Sequence, residues 1–199
     1  MGVSTVDSLV AAALEVLERD GEAQFSTRAV CSLAKVTAPT LYHHFANADA
    51  LLSAAIALAF EQFLASKRKA SNSGDAIATL KEGWDNYVRF AIERPRLYSA
   101  MMSRVLLGAE IPAARQSYEI LMERIKAVAA EGKLVLEPQT AAHIVWASAN
   151  GAALLYGTRS HRNDSSGSAP DPVVLSELRD AAIRSICKAS SNEEVPKRF

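Results

Sequence analysis

Apolar side chains recur every three or four positions from the start of the chain: Val6, Leu9, Val10, Ala13, Leu14 and Leu17 fall on one face of a helix. Ser4 or Thr5 stands where that helix needs a cap, with Asp7 three residues beyond Ser4, and Gly21 stands where it should close. Two short helices are expected next. Ser26 can cap residues 27–34, with Phe25 and Val30 spaced as a hydrophobic staple. Thr37 can cap residues 38–44, with Val36 and Leu41 as a second staple. Pro39 falls in that helix's first turn, where its missing N–H costs little. Asn47 then caps a long helix over residues 48–69. The polar run Ser71-Asn72-Ser73-Gly74 breaks the periodicity and marks the expected domain boundary. Beyond it the pattern predicts helices over 75–92, 95–107, 113–131, 139–158 and 172–188. A polar loop is expected over 163–170 and a frayed tail over 189–199. There is neither a strand-like alternation nor a repeat. The expected fold is all-α, with nine helices.

Composition narrows the class. The 199 residues are 49% hydrophobic and 22% charged, with 9 Gly and 7 Pro, which excludes a mainly disordered or collagenous chain. Cys31 and Cys187 are too few and too distant for a disulfide scaffold or a zinc cluster. The first residues lack the basic and apolar regions of a signal peptide. The longest apolar stretch, residues 46–65, is broken by Asp49 and Glu61. The expectation is a soluble cytoplasmic protein with no membrane partner. Lys and Arg total 22 against 22 Asp and Glu, so binding to nucleic acid by bulk positive charge is excluded and only a local basic surface would serve.

The chemistry lies in residues 25–45. Two capped helices joined by the three-residue turn Lys35, Val36 and Thr37 form a helix-turn-helix unit. Ala29, Val30, Leu33, Val36 and Leu41 are expected to lock the pair. That leaves Ala38, Pro39, Thr40, Tyr42 and His43 facing outward, on a helix short enough to enter a major groove. The segment resembles the N-terminal domain of the tetracycline-repressor (TetR) family of bacterial transcription regulators. The matching residues are Thr27, Ala34, Val36-Thr37, Leu41-Tyr42-His43-His44-Phe45, and Asn47 with Leu51, across residues 4–60 without a gap. The resemblance implies a helix-turn-helix DNA-binding domain over 1–47, with 48–69 as a connecting helix. Thr27 would contact phosphate, and Arg28 phosphate or a base. Ala38 and Pro39 would offer apolar contact to a thymine methyl, and Thr40 a hydrogen bond. Thr37, Tyr42 and His43 complete the implied DNA contacts. His44 and Phe45 would hold the motif on the fourth helix. Three departures stand out. Lys35 replaces the turn glycine, Ala48 replaces a basic phosphate contact, and residues 1–70 hold six Lys and Arg against seven acids. Modest affinity with a shallow salt dependence is expected.

The rest resembles the second domain of the same family, over 75–190. The matching blocks are Glu93 to Met102 and Trp146-Ala147-Ser148-Ala149-Asn150-Gly151, with Asn150 where one branch has His. Trp84, Tyr87, Tyr98, Met101, Met102, Tyr118, Met122, Trp146, Asn150 and Tyr156 fit either an ordinary helical core or an apolar effector pocket. The resemblance places the seam of a homodimer on helices 139–158 and 172–188, with stripes Ala142, Val145, Ala149, Ala153 and Leu175, Leu178, Ala182, Ile186. The sequence holds no phosphate loop, nucleophile elbow or metal-ligand spacing. No enzyme, metal or cofactor is expected: His43 and His44 point apart, Cys31 belongs to the core, and Glu119 with Glu123 is a solvated face. The expected function is a ligand-responsive DNA-binding transcription regulator. It would be a repressor released from an inverted-repeat operator by a small, mainly apolar molecule. The alternative is a helical ligand-binding or scaffold protein that has lost specific DNA binding.

Overall fold

The computed structural model describes residues 4–69, 74–108, 112–157 and 171–188. Among the described residues there are nine α-helices. They are α1 (Thr5–Asp20), α2 (Thr27–Ala34), α3 (Ala38–His44), α4 (Ala48–Lys69) and α5 (Ala76–Glu93), then α6 (Pro95–Leu106), α7 (Pro112–Ala130), α8 (Pro138–Gly157) and α9 (Pro172–Ile186). The expected loops over 71–73 and 163–170 and the tail over 189–199 lie outside the described residues.

Local chemistry sets most of the helix ends. The Asp7 N–H donates to Ser4 Oγ at 3.1 Å to open α1, and Gly21, at φ 81°, closes it through its N–H to the Leu17 carbonyl at 2.8 Å. Asn47 Oδ1 accepts from the Ala50 N–H at 2.8 Å ahead of α4. Asp75 and Asp171 cap α5 and α9 in the same way. Ser26 precedes α2 but its side chain makes no capping bond, so the expected cap there is positional only. Two features carry no periodic signal: a 3-10 turn at Glu22–Gln24, and an isolated antiparallel bridge between Leu134 and Cys187 that joins the chain after α7 to the chain after α9.

Packing forms two main clusters. The first gathers Leu9, Val16 and Leu17 of α1, Val30 of α2, Leu41 of α3, and Leu51, Ile56, Phe60 and Phe63 of α4. Phe90 of α5 and Leu97, Ala100 and Met101 of α6 complete it. The second joins Leu80, Trp84 and Val88 of α5 to Ile125 and Val128 of α7, Val145 and Ala149 of α8, and Ile183 and Ile186 of α9. The stretch Ala48–Ala65 of α4 is long and apolar enough to cross a membrane by length and composition alone. Its buried residues pack against α1, α6 and α7, which accounts for the apolarity.

Two expectations are overturned. Leu33, placed by its spacing in the lock between α2 and α3, is 38% exposed, whereas Val30 and Leu41, expected beside it, are fully buried. The stripe Ala142, Val145, Ala149, Ala153, with Ala182 and Ile186, is not an outward seam: these residues are buried inside this one chain, where small side chains let α8 approach α5 and α9. Leu175 is half-buried in the second cluster, and of the predicted stripe only Leu178 faces out. The exposed large apolar side chains of these two helices, among the described residues, are Trp146, Leu154 and Leu155 on α8 and Val173, Val174 and Leu178 on α9.

Candidate nucleic-acid interface and apolar cavity

Helix α3 has a single buried residue, Leu41, which seats it on the first cluster. Its remaining side chains are therefore free to face away from the core. Ala38, Pro39 and His43 are exposed, Tyr42 is 52% exposed, and Thr40 is half-buried. Thr37 Oγ1 accepts from the Thr40 N–H at 3.5 Å and shares a hydrogen bond with Thr40 Oγ1 at 2.9 Å. The two hydroxyls thus form a linked pair at the helix start, each keeping further hydrogen-bonding capacity. Arg28 is exposed one residue into α2, beside half-buried Thr27. His44 is exposed too, while Phe45, the other residue expected to hold the motif, is half-buried against the first cluster. The His44 ring meets that of His43 edge-on, with centroids 5.0 Å apart. Among the described residues no cluster of three His, Cys, Asp or Glu is placed to hold a metal. Lys35, between α2 and α3, sits at φ 54° and ψ 42°, the one non-glycine residue at positive φ among the described residues. Cys31 is half-buried against the first cluster.

The acidic balance of residues 1–70 acquires a different meaning in three dimensions. Glu18 pairs with Arg94, at the junction of α5 and α6. Arg104 of α6 reaches α4: its Nη2 donates to Asp49 Oδ1 at 2.6 Å and its Nη1 to Ser53 Oγ at 2.8 Å, while Glu22 lies 3.8 Å from Nη2. That pairing holds the Asp49 carboxyl below the usual carboxylate range. Arginines from beyond residue 70 therefore offset three of the seven acids, which a segment-by-segment count cannot register.

A cavity of about 370 Å³ lies between α4, α5, α6, α7 and α8. Of the nine predicted ligand residues, Trp84, Tyr87, Met102, Tyr118 and Trp146 line it. Tyr98, Met101, Met122 and Asn150 do not. Successive residues on a helix are about 100° apart, so when Met102 and Leu121 face the cavity their neighbours Met101 and Met122 face the first and second clusters. Asn150 is a structural tie: its Oδ1 accepts from Tyr87 Oη at 2.7 Å and Tyr98 Oη at 3.1 Å, and its Nδ2 donates to the Trp146 carbonyl at 2.8 Å. Burial drives both tyrosine hydroxyls above their ordinary value, Tyr87 well above it. Tyr156 is buried and also lies off the cavity.

The lining holds residues that sequence reasoning passed over. Phe60, Val105 and Leu121 are ordinary apolar walls. The polar ones are more informative. Gln139 Nε2 donates to Tyr118 Oη at 2.9 Å and lies 3.3 Å from His143 Nε2, making a polar rim, while Trp84 Nε1 is satisfied by Ser148 Oγ at 3.1 Å. Arg124 and Gly83 also line the cavity. The glycine in the middle of α5 was the one available signal, because an interior glycine costs a helix about 1 kcal/mol against alanine and implies a close neighbour.

Comparison with known proteins fits this geometry. The family model described as "Bacterial regulatory proteins, tetR family" matches residues 9–55, and "Tetracyclin repressor-like, C-terminal domain" matches residues 80–173. Together they span well over half of the chain. A solved protein of unknown function from Rhodococcus sp. RHA1 is 23% identical, with a TM-score of 0.77 over 94% of this chain and 97% of that one. The fatty acid degradation regulator FadR from Bacillus halodurans is 15% identical, with a TM-score of 0.71 over 92% and 96%. A TetR family transcription regulator from Marinobacter aquaeolei VT8 is 13% identical, with a TM-score of 0.68 over the same shares. No curated protein sequence matches the chain.

Proposed function

The chain belongs to the tetracycline-repressor family of ligand-responsive, DNA-binding transcription regulators, and on that premise we propose that it is a cytoplasmic repressor released from its operator when the cavity fills. The observation that carries the DNA half is α3: one buried anchor, Leu41, and an outward first turn of Ala38, Pro39 and Thr40 followed by Tyr42 and His43. This helix enters the major groove, Ala38 and Pro39 against thymine methyls and Thr40 on a base edge. Thr27, Arg28 and Thr37 hold phosphates, helped by the N-terminus of α2, which offers donors without formal charge.

Family members bind operator DNA and dimerise. In this chain the seam runs on the outward faces of α8 and α9, where Ala147, Gly151, Leu154 and Leu155 meet Val174, Leu178 and Ala181 of a second copy. The two recognition helices then read an inverted repeat. The cavity communicates with them through α6: Met102 and Val105 line it, while Arg104 between them grips Asp49 and Ser53 at the start of α4, directly after α3. A ligand that moves α6 moves that end of α4, and with it the spacing of the recognition helices.

The test is a footprint on the DNA flanking the chain's own gene, run with Thr40→Ala/Tyr42→Ala alongside the parent. The double variant should keep its helicity and melting temperature and lose specific protection. Protection that survives would mean α3 is not the reading element.

A further inference from the structure

The second half of the molecule pairs most of its partly buried cations. Arg179 binds Asp85 and Asp180, Lys81 binds Asp180, and Arg104 binds Asp49. Arg124 is different. It is half-buried in the wall of the cavity, and among the described residues it makes neither an ion pair within 4.0 Å nor a hydrogen bond. Among the described residues Glu82 lies near enough to favour its charge, from beyond ion-pair distance.

Its position is built, not incidental. On α7 the cavity-facing residues Ala114, Ser117, Tyr118, Leu121 and Arg124 follow helical spacing, so Arg124 continues the lining rather than the solvent face. Across from it, α5 has Gly83, where an added Cβ would stand 1.9 Å from Arg124 Nη1. The missing side chain is what lets the guanidinium lie against α5. Burial pulls the group below its ordinary value, yet an arginine stays charged at neutral pH. The cavity thus combines apolar walls with a seated cation whose donors are unspent.

A neutral apolar ligand would leave those donors facing hydrocarbon, and a cationic one would be repelled. A carboxylate matches the planar fork. Resting on the assignment of the cavity as the effector site, we propose that the effector is an amphipathic organic anion: its carboxylate pairs with Arg124 and its apolar body runs past Trp84 toward Met102 and Val105. The distance along α7 from Arg124 to Ala114 is roughly 15 Å at the helical rise per residue, so the body is elongated. Its far end presses on α6, the helix that carries Arg104.

Both tryptophans of the chain line this cavity, so intrinsic fluorescence reports occupancy. Decanoate, decan-1-ol and decylammonium, below their micellar concentrations, are titrated into the intact protein, and 1-naphthylacetate with 2-(1-naphthyl)ethanol are compared by calorimetry to separate aliphatic from aromatic bodies. In the parent, decanoate should bind at least tenfold more tightly than decylammonium. The ratio of alcohol to carboxylate dissociation constants should fall at least tenfold in Arg124→Gln and recover partly in Arg124→Lys. Gly83→Ala, which keeps the charge but occupies its seat, should lower the same ratio. Thermal unfolding by circular dichroism confirms that each variant is folded. A ratio unchanged within about twofold in folded Arg124→Gln and Arg124→Lys, or tightest binding by decylammonium, overturns the anion while leaving the cavity as an apolar site. Failure of every probe to alter the tryptophan signal or produce heat overturns both the anion and the cavity assignment.

Discussion

Lys35 holds a left-handed conformation, φ 54° and ψ 42°, so that the chain can turn from α2 into α3. A residue with a Cβ is disfavoured there by about 1–2 kcal/mol, and glycine returns part of that advantage through its freedom in the unfolded chain. Lys35→Gly is therefore expected to stabilise the protein by roughly 1 kcal/mol and to raise its melting temperature by about 2–4 °C. Thermal unfolding measures this, and a lower midpoint would show that the lysine side chain contributes something its exposure hides. The strain was legible in the sequence because the resemblance places glycine at this turn. The fate of Asn150 was not legible. Its bonds to Tyr87 and Tyr98 span more than fifty positions of chain, and no local pattern encodes a partner at that separation.

At the scale of elements, the contact between α6 and α4 is the most consequential. Arg104 is nearly buried, and Asp49 meets it from an exposed side. Such a half-exposed pair contributes at most about 1 kcal/mol. The folded-state pKa of Asp49 is depressed, so its contribution is complete above the ordinary carboxylate value of roughly 4. It fades as pH falls through the lower, folded value. Asp49→Asn should then be destabilised at pH 7, and its deficit against the parent should shrink as pH falls below the ordinary carboxylate value, as urea unfolding across that range would show. A difference that persists in acid would assign the effect to packing. The same variant loosens the link between cavity and recognition helix, so it should blunt the response of operator affinity to effector.

For the whole molecule, assembly and switching follow from which faces remain uncovered. Leu154 is 60% exposed and Leu178 is 40% exposed, on the two helices whose other stripes close the core. Leu154→Glu/Leu178→Glu should yield a folded monomer at micromolar concentration in analytical ultracentrifugation. Its operator affinity should collapse, because two half-sites about 34–36 Å apart need two linked recognition helices. A dimer that survives would move the seam elsewhere. Ala142→Glu makes the contrast: that position is fully buried inside the chain and off the cavity, and the expected result is unfolding rather than dissociation. Reciprocity also holds for the whole molecule. If an effector weakens operator binding by some factor, typically about 5–150-fold, operator must weaken effector binding equally, and calorimetry with and without operator compares the two.

The sequence alone determined where most of the helices begin and end and how α2 and α3 are arranged. Caps, glycines and first-turn prolines act within four residues of one another, so their chemistry is written locally. It also identified the outward turn of α3, since a helix with one strong apolar anchor at Leu41 has its other faces free. The same periodicity showed that α8 has an apolar stripe but not what covers it, and the stripe expected at a dimer seam became core. Only the tertiary structure decided that Met102 and not Met101 meets the cavity, that Arg94 and Arg104 offset acids of the first four helices, and that Arg124 lies in the space Gly83 leaves. Those outcomes depend on how each helix is rotated against a neighbour distant in sequence. That rotation is set by the packing of all the side chains at once, not by the residues on either side.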